Sequence, residues 1–276
     1  MSKNITFLGA GSMAEAIISG LLKTQTVSPL NLTVTNLENT ERLESLKKLY
    51  QVKTTHSRIE AIKEADVIIF AMKPYGIKEC IKEIKPYCNK EALFISILAG
   101  IPTSYIEDLL EFNAAVIRTM PNTSASIGLS ATSMSKGAYA NHKQMEYAKE
   151  LFEAIGSVLF IEEEKQNAAT GIAGSGPAYF YYFIEAMYTA AEEANLTKNE
   201  ADSLIKQMII GVGKKLESTN KSPQELYQEI MSPKGTTEAG FKILEEEQLQ
   251  QHFIKAVKRA IQRSEELGSV YSHKIE

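Results

Sequence analysis

A short apolar stretch, Ile5 to Leu8, runs directly into Gly9-Ala10-Gly11-Ser12-Met13-Ala14 and then into a helical pattern reaching about Leu22. This junction limits the possible folds more than any other stretch of the chain. Gly9 permits a tight turn, Gly11 lets an anion approach the backbone, and Ala14 lets helix pack on strand. The helix N-terminus then presents unpaired N–H groups to a negative ligand. The pattern predicts the first unit of a doubly wound sheet, with a dinucleotide pyrophosphate held at Gly9, Ala10, Gly11, Ser12 and Met13.

The alternation continues. Leu32–Thr35 reads as a second strand and Arg42–Leu49 as a helix. Val67–Ala71, Leu93–Ile97 and Ala115–Ile117 are apolar runs suited to strands covered on both faces. Gly128–Ser133 follows, then a helix over Asn141–Ala154 and a final strand at Val158–Ile161. Beyond Glu162-Glu163-Glu164 only helical periods remain: Pro177–Ala194, Lys198–Leu216, Pro223–Glu229 and a pair covering Gly235–Leu267. The fold class is therefore α/β, an N-terminal Rossmann-type doubly wound sheet in residues 1–162 followed by an all-α domain in residues 163–276. In the helix after Pro177, Glu185, Thr189 and Glu192 form one narrow polar stripe among Ala, Tyr, Phe, Ile and Met. Such a helix must be buried on nearly all sides, which calls for a second copy of the chain, a homodimer. Gly211 and Gly213 follow no strand, so their spacing reads as helix packing.

A net charge of −4 without a basic stripe argues against a nucleic-acid partner. No apolar run nears the length of a membrane span, and no signal-peptide pattern opens the chain. Cys80 and Cys88 have neither metal-ligand nor disulfide spacing and read as free thiols, so the expected location is cytoplasmic. No metal site is expected.

Cofactor contacts are expected where strands end. Asn36 stands where an acid would bind the ribose 2′-hydroxyl of NAD, and an uncharged residue there favours a 2′-phosphate, although no Arg follows it. The reading is NADPH, with NADH as the alternative. Ala71-Met72-Lys73-Pro74, Ala99-Gly100 and the segment holding Asn122 (Met120-Pro121-Asn122-Thr123) end later strands, and Gly100 there would admit the nicotinamide. Gly174-Ser175-Gly176-Pro177 reads as a flexible loop opening a helix whose N-terminus can cap a substrate, through Ser175 and Gly176, or simply pack under the nicotinamide. Ser232-Pro233-Lys234-Gly235-Thr236-Thr237 is a second helix start, its hydroxyl and N–H groups suited to a carboxylate. His56, His142, His252 and His273 lie outside these motifs and are expected at the surface. The related 3-hydroxyisobutyrate and 6-phosphogluconate dehydrogenases carry a catalytic Lys six residues after the first Gly of a Gly-Ser-Gly. Here that position is Phe180, so the chain lacks the general base an alcohol substrate needs. A protonated imine needs none.

These segments, in this order, resemble the pyrroline-5-carboxylate reductase family over essentially the whole chain. The carrying residues are Phe7–Met13, Ala71–Pro74, Ala99–Ile101, Met120–Thr123, Gly174–Tyr179 and Ser232-Pro233-x-Gly235-Thr236-Thr237. The resemblance implies NAD(P)H-dependent reduction of 1-pyrroline-5-carboxylate to L-proline by an interlocked helical dimer, often a pentamer of dimers. It implies that Ser232, Gly235 and Thr236 bind the substrate carboxylate and that Thr237 hydrogen-bonds the ring nitrogen. Lys234, Ser124 and Leu37 depart from the family pattern, the first replacing a Gly, the second a Pro and the third a common phosphate-binding Arg. The other readings are a reductase of a different cyclic imine and a non-catalytic, NADP-sensing paralogue.

Overall fold

In the computed structural model, which describes residues 3–272, the strands form one eight-stranded sheet of order β3-β2-β1-β4-β5-β6-β7-β8. They are β1 (Ile5–Leu8), β2 (Leu32–Thr35), β3 (Lys53–Thr55), β4 (Val67–Phe70), β5 (Leu93–Ser96), β6 (Ala115–Met120), β7 (Ser130–Lys136) and β8 (Gly156–Phe160). Every residue of β1, β4, β5 and β6 is buried, because helices cover both faces. Side chains alternate between two cores. Ile5, Phe7, Val67, Ile69 and Ile95 face α1 (Ser12–Lys23), α2 (Thr40–Tyr50) and α6 (His142–Glu153). Leu8, Ile68, Phe70 and Phe94 face α3 (Arg58–Ile62), α4 (Ile77–Ile84) and α5 (Thr103–Leu110). Each such buried side chain contributes roughly 1.5–3 kcal/mol.

Two features differ from the sequence reading. β3 is a polar, partly exposed edge strand with no apolar run to announce it. β7 begins at Ser130 and runs antiparallel to β6, because the 121–129 connection is too short for a crossover helix. β8 then pairs parallel to β7 and ends the sheet. Both cysteines are free, and burial pushes the Cys80 thiol up to about 12.

By contact, residues up to Pro177 together with those from Arg259 onward form one compact unit, and Ala178–Lys258 form a second. This division and the change of element type near residue 162 are different boundaries. Residues just past 162 are bound into the first unit by polar side chains. Gln166, fully buried, accepts from Ser133 Oγ at 2.7 Å and donates to Ser135 Oγ at 3.0 Å. Glu163 accepts from the Thr103 amide at 2.8 Å and pairs with Arg118 at 3.4 Å.

The second unit is helical: most of α8 (Gly176–Glu193), then α9 (Lys198–Glu217), α10 (Pro223–Ile230), α11 (Thr236–Glu246) and the first part of α12 (Leu249–Ser272). Capping boxes at Thr197 and Ser222 start α9 and α10. Within it Phe253 meets Tyr179 and Phe183, both at 5.6 Å between ring centres. Only Ala201 and Ile205 of this unit are buried, while Phe180, Tyr182, Leu204 and Ile230 are each at least 60% exposed. A single chain therefore leaves its helices uncovered. Sedimentation at micromolar concentration is expected to give at least twice the chain mass; a stable, active monomer would refute this.

Candidate cofactor cleft and substrate loops

A cleft of about 620 Å³ opens at the carboxyl ends of β1, β2 and β4. The β1–α1 turn lines it with Gly9, Ala10, Gly11, Ser12 and Met13, the end of β2 with Asn36, and the end of β4 with Ala71, Met72 and Lys73. These expected cofactor residues, spread from Gly9 to Lys73, share one cavity. Pro74 is not on its wall; it starts the 3₁₀ turn Pro74–Gly76, which presents Tyr75 and Gly76 instead.

Gly9 has φ +121°, and a Cβ there would lie 2.4 Å from the Ala71 carbonyl oxygen. Its N–H donates to the Thr35 carbonyl at 3.2 Å, so the turn is clamped between β4 and β2. Gly11 is the N-cap of α1 and no side chain caps that helix. A Cβ on Gly11 would meet no atom within 4 Å. The space above the helix N-terminus is therefore open, and its N–H groups suit a pyrophosphate. The residues present fit a dinucleotide.

Arg42, absent from the sequence reading of the site, braces this helix N-terminus. Its Nε donates to the Ala10 carbonyl at 2.7 Å and its Nη2 pairs with Glu15 at 2.6 Å. Glu15, in the first turn of α1, would otherwise repel a phosphate; Tyr50 also donates to it at 3.1 Å. Burial, with that carboxylate beside it, holds the Tyr50 phenol above its usual range and keeps it a donor.

Asn36 is bound into its own loop. Its Oδ1 accepts the backbone N–H of Glu38 at 3.2 Å and of Asn39 at 2.9 Å. His56 Nδ1 lies 2.7 Å from the Asn36 carbonyl, which can only accept, so that nitrogen carries the proton. His56, His142 and His252 are exposed as expected, but His56 is joined to the Asn36 loop rather than remote from the motifs; His273 lies outside the described residues. Glu38 and Arg58 also line the cleft.

Ala99, Gly100 and Asn122 do not line this cleft. Gly100, at φ +77°, permits close approach of the helix end at Leu267 and Gly268, both 3.1 Å from where its Cβ would be, so its conformation serves chain packing. Asn122 is 8% exposed; its Nδ2 donates to the Ala173 carbonyl and its N–H to Ser130 Oγ, both at 3.0 Å.

That bond explains the Gly-Ser-Gly-Pro segment, which is not the flexible loop expected. α7 (Gln166–Ala169) passes into a π turn over Thr170–Gly174, closed by Ser175 N–H to the Thr170 carbonyl at 2.9 Å, and then into α8. Pro177 has no N–H for the carbonyl four residues back, Ala173, and Asn122 satisfies that carbonyl instead. Gly176 is buried but no atom lies within 4 Å of a Cβ built on it; Ser175 is half-buried. Single-turn π insertions of this kind often mark functional positions.

In the second unit, Ser232 and Gly235 close a turn through Gly235 N–H to the Ser232 carbonyl at 2.9 Å. Gly235 is the N-cap of α11, with no side-chain cap, so Thr236 and Thr237 occupy the first two helical positions. Thr237, half-buried, therefore does not cap this helix. Lys234, the departure from the family Gly, holds φ +59° while its N–H donates to Glu238 at 2.7 Å. Among the described residues no group of three His, Cys, Asp or Glu side chains is placed to hold a metal.

Gly9 and Gly11 should respond oppositely. Gly9→Ala forces a side chain into the Ala71 backbone and should lower the melting temperature sharply. Gly11→Val should keep the fold, by circular dichroism, and abolish dinucleotide binding; unchanged binding would remove Gly11 from the site. Lys234→Gly should relieve a left-handed backbone costing on the order of 1 kcal/mol and raise the melting temperature by a few degrees. A fall in melting temperature would show that no strain resides there.

A family model described as pyrroline-5-carboxylate reductase dimerisation matches residues 163–267, and one described as NADP oxidoreductase coenzyme F420-dependent matches residues 4–100. Pyrroline-5-carboxylate reductase 2 of Bacillus subtilis is 42% identical over 98% of this chain and 97% of its own length. The enzyme of Staphylococcus haemolyticus is 33% identical over 96% and 97%. Among solved structures, a pyrroline-5-carboxylate reductase from Coxiella burnetii superposes with TM-score 0.86 at 34% identity, covering 97% of this chain and 99% of that one. A Plasmodium falciparum pyrroline carboxylate reductase with NADP bound gives TM-score 0.89 at 26% identity, covering 96% and 98%. With the glycine turn, the cleft and both loop segments in place, the chain belongs to the pyrroline-5-carboxylate reductase family.

Proposed function

We propose that this protein reduces 1-pyrroline-5-carboxylate to L-proline, the last step of proline synthesis, using NADPH, with NADH as the alternative donor. The observation that carries this reading is 42% identity to a named pyrroline-5-carboxylate reductase over 98% of the chain. The intact Gly174–Tyr179 and Ser232–Thr237 segments support it. The reduced nicotinamide supplies a hydride when bound. The protein positions the reactants and excludes misorientation. The α1 N-terminus, with Gly9, Ala10, Gly11, Ser12 and Met13, holds the pyrophosphate; Asn36, Ala71, Met72 and Lys73 flank the rest of the dinucleotide. Ala99 and Gly100, following β5, lie toward the nicotinamide, and we assign Asn122 a positioning role, since it fastens the π turn that precedes Ser175 and Gly176. Hydroxyl and N–H donors of Ser232, Gly235 and Thr236 fix the substrate carboxylate. The Thr237 hydroxyl hydrogen-bonds the ring nitrogen as its charge is lost. The helical residues 163–276 form the dimerisation domain, with a pentamer of dimers as the higher assembly, and the enzyme works in the cytoplasm. The uncovered apolar helices and the matched dimerisation model support the dimer.

A steady-state assay with pyrroline-5-carboxylate and each reduced nicotinamide should yield proline; no turnover with either would overturn the proposal. Thr237→Ala should lower kcat/KM by roughly ten- to hundredfold, about 1.5–3 kcal/mol, with cofactor affinity and melting temperature nearly unchanged. Thr237→Ser should be mild. Normal turnover by the Ala variant would make Thr237 structural.

A further inference from the structure

The charges at the adenosine end of the cleft come from residues apart in sequence. β3 pairs with β2, Thr55 opposite Thr35, so the loops following these strands are neighbours. One carries Asn36 and Glu38; the other carries His56 and leads into Arg58 at the start of α3, and the 2.7 Å contact of His56 Nδ1 with the Asn36 carbonyl joins them. Arg58, Glu38 and Lys73 are the charged side chains lining the cleft, and Lys73 follows β4, on the far side of β1 from β2. Arg58 is thus the cation on the Asn36 side.

Its guanidinium is held but not saturated. The side chain is 12% exposed, and Nη1 donates to Glu83 on α4 at 2.9 Å. A guanidinium has five N–H donors in a planar fork, so an ion pair through one of them leaves others for a phosphate. The Asn36 carboxamide oxygen is engaged by two backbone N–H groups, which leaves its amide nitrogen as the group to meet a ligand, again a donor. Glu38 works the other way: its carboxylate repels a phosphate and can accept from a ribose hydroxyl.

We infer that Arg58 binds the 2′-phosphate of NADPH, taking the place of an Arg next to Asn36, and that Arg58 and Glu38 together set the choice between the two nicotinamides. This rests on the cleft being the nicotinamide dinucleotide site. Glu83 is a positioning residue, anchoring the guanidinium from α4.

Calorimetric titration of the full-length protein with NADP⁺ and with NAD⁺ tests it without turnover. The wild type should bind NADP⁺ more tightly. Arg58→Gln should weaken NADP⁺ by about tenfold or more while changing NAD⁺ only slightly. Arg58→Lys should retain part of the preference, and Glu38→Gln should tighten NADP⁺. Added salt should weaken NADP⁺ more in the wild type than in Arg58→Gln. Equal affinities in the wild type, or an Arg58→Gln variant that melts normally yet weakens both dinucleotides in parallel, would overturn the assignment. Failure of the underlying reading has a different signature, a wild type that binds neither.

Discussion

No side chain can stand at Gly9, and the cleft depends on that. A Cβ would meet the Ala71 carbonyl at 2.4 Å, so only glycine lets the β1–α1 turn press against the end of β4. Two backbone bonds complete the junction: Gly9 N–H to Thr35 at 3.2 Å, and Ala71 N–H to Leu8 at 2.9 Å. Three strand ends are thereby fixed around one point, and the α1 N-terminus opens directly above it. Arg42 then shields Glu15 and ties down the Ala10 carbonyl, so the acid in the first helical turn does not cancel the positive end of the helix.

A second junction fastens the π turn to the sheet. Pro177, the second residue of α8, orphans the Ala173 carbonyl, and the Asn122 side chain, from the loop after β6, fills the gap at 3.0 Å. Nearby, Arg118 reaches Glu163 and Asn167, each at 3.4 Å, and Ser264 donates to Asn167 at 2.9 Å. Arg118 is 4% exposed, so removing its carboxylate partner would leave a buried charge, a loss of about 3–5 kcal/mol. Polar side chains, and not apolar burial alone, hold the first helical residues past the strands to the sheet.

The strands that bury both faces were legible because they are continuous apolar runs: Val67–Phe70 and Leu93–Ser96 appear within a residue of their expected ends. β3 was not, because an edge strand needs no apolar face. The glycine turn was legible because each glycine has a separate mechanical reason, and one cavity is lined by nine of the residues expected at a cofactor: Gly9, Ala10, Gly11, Ser12, Met13, Asn36, Ala71, Met72 and Lys73. Gly100 shows the limit of such reading. Its left-handed backbone was foreseeable as a close approach, but the partner is Gly268, far along the chain. Likewise the family Gly replaced by Lys234 marks a position whose φ is +59°.

Local pattern determined what one segment can decide alone: strand or helix, the glycine turn and the apolar helix faces. The doubly wound sheet and the open helix N-terminus at Gly11 follow from these, because neighbouring residues carry all the requirements. Tertiary structure decided what depends on chain returns. It reversed β7, converted the Gly174 segment into a π turn held by Asn122, and brought Arg42 to the Ala10 carbonyl and Arg58 to the wall of a cleft whose turn glycines, Gly9 and Gly11, lie more than thirty positions earlier. Charges and hydrogen bonds act across a few ångströms of space whatever the sequence separation, so the residues that tune this site emerge only once the sheet is assembled.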